Sequence, residues 1–150
     1  MATDPRQAVE SLVLRVRALS VWHATAAALT VAYTVWLAVR TTRDHFGLGT
    51  SAYDFGLYDQ GIWLLAHGKA PFVTLMGRNL FGDHTSFILL PLVPLYWVVG
   101  STGLLFVVQA IVLGLGALPV WKTARMLLGS LPMSCVAVVA YLLHPALTYT

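Results

Sequence analysis

The fold of this chain is decided by the uncharged run at residues 19–39, which reads LSVWHATAAALTVAYTVWLAV. At about 1.5 Å per residue, a helix of this length spans the roughly 30 Å hydrocarbon core of a bilayer. Trp22 and Trp36 lie near its two ends, where aromatic rings meet the membrane surface. The run therefore predicts a transmembrane helix. A cleaved signal peptide is the competing interpretation, but its apolar region is typically about 7–15 residues long.

The composition places the rest of the chain in the same environment. Of the 150 residues, 58% are hydrophobic and 10% are charged, whereas a soluble domain carries about 25% charged residues. The net charge of +3 comes from basic residues scattered at segment ends, not from a basic stripe. Nucleic acid is therefore not a predicted partner. The single cysteine, Cys135, lies in an apolar run and excludes an intrachain disulfide.

Two further apolar runs, residues 103–121 and 131–150, predict a second and a third transmembrane helix. Residues 40–102, of which 40–85 are polar, separate the first helix from the second and are predicted to form a long extracytoplasmic loop. The predicted fold is thus an all-α integral membrane protein with one domain, residues 1–150. We expect this domain to be part of a larger bundle whose remaining helices are its partners.

Within the loop, two helices are predicted to lie on the membrane surface. Residues 53–67 read as a helix with Asp54 as its N-cap and a glycine stop. Residues 86–99 are strongly apolar, but 14 residues with two prolines are too short for a span. Residues 76–84 are predicted to be irregular loop.

Basic residues predict the orientation of the chain. Arg6, Arg15 and Arg17 precede the first predicted helix, and Lys122 and Arg125 follow the second. The positive-inside rule places both groups in the cytoplasm. The chain is therefore predicted to be a multi-pass protein of the cell membrane, in contact with the lipid bilayer. Its N-terminus would be cytoplasmic and its long loop outside.

The polar chemistry is concentrated in two blocks of the loop, YDFGLYDQ at residues 53–60 and GRNLFGDH at residues 77–84. The three predicted spans contain no Lys, Arg, Asp or Glu. Ion-coupled transporters usually place such residues at membrane depth. The only polar candidates of that kind are His23, Gln109 and His144, which favour packing between helices. A functional site is therefore expected in the loop.

The carboxylates of these blocks have ordinary structural explanations as well. Asp54 alone is more readily explained as a helix cap, and Asp59 as a solvated surface residue. The two are five residues apart, or about 140° around a helix, so they do not form a same-face pair. Asp83 and His84 together supply too few ligands for a metal site. No metal or other cofactor is predicted, although a need for a divalent metal stays open.

A long part of the chain resembles a known family. The run YDFGLYDQGIWLLAHGKAPFVTLMGRNLFGDHTSFILLPLVPLYW, followed by QAIVLGLGALPVWKTAR and AYLLHPAL, is similar to a bacterial membrane family. That family is catalogued as domain of unknown function number twenty seventy-nine. The resemblance covers roughly residues 50–147, and family members are usually several hundred residues long, so this chain resembles their N-terminal part.

The family is in turn similar, more distantly, to the GT-C class of membrane glycosyltransferases. This similarity implies transfer of a sugar from a polyprenyl-phosphate donor during cell-envelope glycan assembly. In the common GT-C pattern, an Asp lies four residues before a Tyr, and an apolar helix ends near a Gly. Asp54, Tyr58 and Gly68 occupy those places here. Phe55 departs from the pattern, because many of those enzymes have a second acid at its position.

The resemblance implies roles for seven residues of the loop. Asp54 would be the general base on the acceptor, with Asp59 and Asp83 as the substitute catalytic candidates. The lipid phosphate and the sugar would be bound by four further side chains, namely His84, Arg78, Lys69 and Tyr58.

Two other functions stay open at this point. The first is a non-catalytic membrane scaffold or accessory subunit of envelope assembly. The second is a fragment of a transporter, whose ionisable groups at membrane depth would have to come from further helices.

Overall fold

The computed structural model describes residues 5–148 except 51, 83 and 85, and it leaves the side chains of 5–20, 52 and 148 undescribed. The described chain is mostly helical and forms two compact units. One, the terminal unit, comprises Met1–Leu37 and Ala110–Thr150, and the other, the central unit, comprises Ala38–Gln109. In chain order the elements are α1 (Pro5–Phe46), α2 (Ala52–Ala66), β1 (Phe72–Val73), β2 (Arg78–Asn79), η1 (Leu80–Gly82), η2 (Phe87–Leu92), α3 (Val93–Val98), α4 (Gly103–Leu115), α5 (Ala117–Leu128), α6 (Leu131–Leu142) and α7 (Pro145–Thr148), where η marks a 3₁₀ helix.

Two helical stretches of the described chain are long and apolar enough to cross a membrane, Val21–Phe46 and Gly103–Leu128. Only 17% and 28% of their most apolar windows are buried. Core helices of a soluble protein would be mostly buried, so these stretches present apolar surface outward as membrane helices do. The predicted helix at 19–39 is confirmed, and α1 continues beyond it to Phe46.

The second stretch is divided at Gly116 into α4 and α5, although Gly116 itself keeps helical dihedrals, with a φ of −58° and a ψ of −21°. Pro119 explains the interruption, since it has no N–H to donate to the carbonyl four residues earlier and its ring crowds that carbonyl. The hydroxyl of Tyr141 donates a 2.8 Å hydrogen bond to the carbonyl of Leu113 just before this interruption. The predicted span 103–121 is therefore interrupted and extends to Leu128.

The third predicted span, 131–150, is not one continuous helix. α6 ends at Leu142, and α7 begins at Pro145. Pro145 cannot extend α6, because a proline disfavours helical geometry in the residue before it. With 12 residues, α6 is shorter than the ~20 residues that a perpendicular span needs. A third crossing of the membrane stays a prediction.

In the terminal unit, α1, α5 and α6 pack through small residues and a few long-range hydrogen bonds. Ala26, Ala117 and Ala124 are buried there. The hydroxyl of Tyr33 on α1 donates to the carbonyl of Leu147, 3.0 Å away. Such contacts between apolar helices rely on close approach and on polar groups that find partners.

The central unit contains a hairpin that the sequence analysis did not predict. β1 and β2 pair antiparallel with Val73 opposite Arg78, and β2 lies within residues 76–84, which were expected to be loop. The turn between them uses Gly77, whose φ of 65° is the left-handed region that glycine tolerates. The fold is therefore not purely α-helical.

The predicted surface helix 86–99 has a different form. Phe87–Leu92 is a 3₁₀ helix, and only Val93–Val98 is α-helical. Pro91 and Pro94 explain the division, because each removes a backbone donor from the regular hydrogen-bond pattern.

The core of the central unit lies between α2 and the hairpin. Leu57, Val73 and Leu80 form it, and each is at most 7% exposed. Gly61 faces Leu80 so closely that a methyl group on its Cα would lie 2.7 Å from a Leu80 methyl carbon. This packing gives the stretch between the two candidate spans a folded structure of its own.

Candidate functional site

The best-defined polar contact of the central unit joins α2 to α3. The hydroxyl of Tyr96 donates a 2.7 Å hydrogen bond to Oδ1 of Asp59. Tyr96 is buried, and its burial raises the pKa of its hydroxyl above the ordinary value, with the hydrogen bond and the negative charge of Asp59 adding to the effect. A second bond runs from Nε1 of Trp97 to the carbonyl of Ala66, at 2.8 Å. Together they fix α3 against α2.

Asp54 lies at the other end of α2, with its side chain exposed to solvent. The helix begins at Ala52, so Asp54 is in the first turn and the prediction that it is the N-cap is wrong. A carboxylate in this position is stabilised by the positive end of the helix dipole. Asp54 is thus an accessible acid on a folded helix, whereas Asp59 is engaged by Tyr96.

An aromatic and basic group lies at the C-terminal end of α2. The rings of Trp63 and His67 stack with their centroids 4.0 Å apart. Nζ of Lys69 lies 5.1 Å from the centre of the Trp63 ring, a cation–π distance. Gly68, with a φ of 65°, ends the helix here as predicted. Lys69 is exposed, so its charge can still face an anion.

Arg78 is exposed on β2, which α2 supports through one glutamine. Oε1 of Gln60 accepts a 3.1 Å hydrogen bond from the backbone N–H of Thr74, and its Nε2 donates to the hydroxyl of Thr74 at 3.0 Å. These bonds fix the start of the β1–β2 turn to α2. The hairpin that carries Arg78 is therefore attached to the same helix that carries Asp54.

The remaining predicted site residues lie in different surroundings. His84 is exposed, and Tyr58 is half-buried against the core of the central unit. Asp83 lies outside the described residues. The structure thus attaches Asp54, Asp59, Lys69 and Arg78 to one folded unit.

Phe55, which departs from the GT-C pattern, has a packing role. Its ring stacks on the ring of Phe106, with the two centroids 4.5 Å apart. The centroid of the His45 ring also lies 4.5 Å from that of Phe55. Nδ1 of His45 is 3.1 Å from the hydroxyl of Thr50. An aromatic residue at position 55 therefore stabilises the start of α2 where an acid would not.

Metal coordination receives no support from the described side chains. Among them, no group of three His, Cys, Asp or Glu comes together in a way that could hold an ion. Asp83 lies outside the described residues, so a need for a divalent metal stays open.

Sequence reasoning missed Tyr96 and Gln60, which fix the two halves of the central unit to α2. Tyr96 is 37 positions from Asp59, and Gln60 is 14 positions from Thr74. No local spacing pattern relates residues so far apart. The only available signal was that each polar group lies in an apolar or turn-rich neighbourhood where it needs a partner.

Two apolar helical stretches with a folded polar unit between them are features of an integral membrane protein. The chain belongs to the family described as "Predicted membrane protein (DUF2079)", whose model matches residues 44–149. This match confirms the resemblance to the family of unknown function and, with it, contact with the lipid bilayer. No curated protein and no solved structure matches the chain. The more distant similarity to GT-C enzymes stays a prediction.

Proposed function

We propose that this chain forms the first part of a membrane glycosyltransferase of the GT-C type. It would transfer a sugar from a polyprenyl-phosphate donor to an acceptor hydroxyl during cell-envelope glycan assembly. The observation that carries the proposal is the exposed carboxylate of Asp54 on α2, in a folded unit between the two candidate spans. An acid in this place is what the GT-C resemblance implies.

The proposal assigns the chemistry of the acceptor to Asp54. An exposed carboxylate can act as a general base and accept the proton of an attacking hydroxyl. Asp59 is less suited to this step, because one of its oxygens already accepts the hydrogen bond from Tyr96. Asp83 is retained as the substitute candidate from the sequence.

The basic residues of the central unit would neutralise the lipid phosphate. Lys69, Arg78 and His84 are all exposed, and cations stabilise phosphate oxygens that gain charge when the sugar leaves. Tyr58 would contribute to sugar binding through the exposed part of its ring. No step of this scheme requires a metal ion.

The membrane orientation follows from the positive-inside rule and is part of the proposal. With the N-terminus in the cytoplasm, the stretch after Phe46 lies outside the membrane, and Lys122 and Arg125 return to the cytoplasmic side. This places Asp54 on the side where lipid-linked sugars are used for envelope glycans.

A non-catalytic scaffold is the second candidate, because both acids of α2 have structural explanations. Asp59 accepts the hydrogen bond of Tyr96, and Asp54 favours the first turn of its helix. A scaffold would need these residues for folding but not for chemistry.

The experiment compares Asp54→Asn with Asp44→Asn in the full-length protein reconstituted in vesicles. Asp44 is a matched exposed acid that pairs with Arg40 at 3.6 Å. Transfer is measured from a panel of polyprenyl-phosphate hexoses and pentoses, together with the melting temperature in detergent. Loss of a general base lowers turnover about 10²–10⁴-fold. We expect this for Asp54→Asn only, with unchanged melting. Transfer that survives Asp54→Asn would contradict the assigned role, and a lowered melting temperature would favour the scaffold.

A further inference from the structure

The terminal unit contains an apolar groove that the proposed chemistry does not use. Its volume is about 290 Å³, and residues of α1, α4, α5 and α6 line it, among them Ala27 and Thr30 on α1 and Leu118 and Trp121 on α5. A cavity of about 150 Å³ already accommodates benzene in a protein interior. The groove is therefore large enough for an elongated apolar chain.

Two contacts give the direction of the groove. The rings of His23 and Trp121 lie 5.1 Å apart at one end. At the other end, a methyl group on Gly114 would collide with the side chain of Thr34. α1 and the α4–α5 pair therefore run antiparallel along the groove. The His23 end lies near the start of the uncharged run at residues 19–39, where the sequence predicts a membrane boundary.

Two basic residues follow on the same face of α5, beyond the His23 end of the groove. Leu118 and Trp121 line the groove, and Lys122 and Arg125 lie four residues after each of them. Residues four apart are neighbours on one helix face, one turn or about 5.4 Å further along. Lys122 is exposed, and Arg125 donates one bond to the carbonyl of Gly129 at 3.3 Å. A guanidinium has five N–H donors, so others are available to a ligand.

An apolar groove that ends in two cations at a membrane boundary is chemically complementary to an anionic lipid. We propose that the terminal unit binds an anionic glycerophospholipid, with one acyl chain in the groove and the phosphate near Lys122 and Arg125. Basic pockets between membrane helices recognise such headgroups. Trp121 would lie at the glycerol level, where amphipathic rings are favoured. This site is separate from the glycosyltransferase proposal and does not depend on it.

The groove distinguishes a specific lipid site from the general attraction of basic residues to an anionic membrane. Surface charge alone would attract anionic lipid at either end of α1, for example at Arg40 and Arg43. A site with a groove requires both the cations and the empty space beside Ala27. Each requirement has its own substitution and its own control.

The test uses the full chain in detergent, exchanged into mixed dioleoylphosphatidylglycerol and dioleoylphosphatidylcholine. Native mass spectrometry counts the lipids that stay bound. One pair of variants removes two charges, Lys122→Gln with Arg125→Gln against Arg40→Gln with Arg43→Gln. The other pair adds a bulky ring, Ala27→Phe in the groove against Ala28→Phe, which is exposed on α1 outside it.

We expect wild type to retain phosphatidylglycerol over phosphatidylcholine by about 25-fold, since each of the two cations near a surface strengthens anion binding about fivefold. Loss of Lys122 and Arg125 removes the preference, and Ala27→Phe lowers retention of both lipids. Both control variants behave as wild type. Equal loss in the Arg40 and Arg43 variant, or full retention in Ala27→Phe, would overturn the proposal. Disruption of a dimer by Ala27→Phe without any change in bound lipid would assign the groove to a second copy and also overturn it.

Discussion

Tyr96 and Asp59 connect α3 to α2 through a hydrogen bond of 2.7 Å across 37 positions of the chain. The tyrosine is 6% exposed, whereas the aspartate is half-buried. Partial solvent exposure of the carboxylate weakens the hydrogen bond relative to a fully buried one. The hydroxyl of Tyr96 is desolvated, however, and needs an acceptor. This pair is therefore the contact of the central unit whose removal is most informative.

Tyr96→Phe should destabilise the protein by about 1–2 kcal/mol, because it breaks a hydrogen bond to a charged acceptor. The melting temperature in detergent should fall by about 3–6 °C. Asp59→Asn keeps an acceptor oxygen and should cost less. The double variant should cost less than the sum of the two, with a coupling of about 1 kcal/mol. Strict additivity would show that the two side chains do not interact in solution.

The same tyrosine predicts a pH dependence. The pKa of Tyr96 is raised in the folded chain above its usual value of 10.0, so the folded chain keeps this proton more tightly than the unfolded chain does. The associated stability is fully present below pH 10 and is lost as the pH rises through the folded pKa. Melting temperatures from pH 8 to 11.5 should fall more steeply in wild type than in Tyr96→Phe. Parallel curves for the two proteins would contradict the assignment.

Gly61→Ala should destabilise the central unit despite the better helix propensity of alanine. The added methyl carbon would lie 2.7 Å and 2.9 Å from the two methyl carbons of Leu80, so this buried side chain, which is 1% exposed, would have to shift within the core. Overpacking of this kind costs about 1–3 kcal/mol, against a propensity gain of about 1 kcal/mol. Gly82→Ala is the control, since nothing lies within 4 Å of its new methyl group. Thermal unfolding of both variants tests the difference.

Gln60→Ala should release the β1–β2 hairpin from α2. The backbone N–H of Thr74 donates to Oε1 of Gln60, so its hydrogen exchange should accelerate about tenfold or more when the acceptor is removed. Gln60→Glu is the matched control, because it keeps an acceptor oxygen for the same N–H. If exchange at Thr74 is equally fast in both variants, the side-chain acceptor does not protect this amide.

Cysteine labelling tests the membrane orientation. The chain has one cysteine, Cys135, which is buried, so Cys135→Ala gives a cysteine-free background. A membrane-impermeant maleimide should modify Asp54→Cys from the outside of intact cells. Lys122→Cys should react only after the cells are opened. Labelling of Asp54→Cys only from the cytoplasmic side would place the central unit on the wrong face for lipid-linked sugars.

The sequence predicted well those features that depend on neighbouring residues. The helix expected at 53–67 is present as Ala52–Ala66, because an apolar run followed by Gly68 determines both its content and its end. The membrane character of 19–39 follows equally from a continuous absence of charge. Such features need no knowledge of the rest of the chain.

The sequence did not predict features that depend on distant contacts or on competition between prolines and apolar runs. The hairpin at Phe72–Asn79 has two-residue strands and is supported by Gln60, so it leaves no alternating pattern. The apolar run at 86–99 reads as one helix, but its prolines divide it. The structural role of Asp59 likewise required the position of Tyr96. The contacts between distant residues were therefore not predictable from the sequence, and the assignment of the site residues stays a prediction.

The helix interruption at Gly116 bears on how the protein adapts to bilayer thickness. Each candidate span has 26 residues, and a straight helix of that length measures about 39 Å, longer than the roughly 30 Å hydrocarbon layer. α1 is uninterrupted, so it must lean over or extend its basic end into the headgroups. The second stretch lacks the backbone donor of Pro119, so it bends there more easily than a regular helix does. A thinner membrane would therefore tilt α1 and bend the stretch formed by α4 and α5.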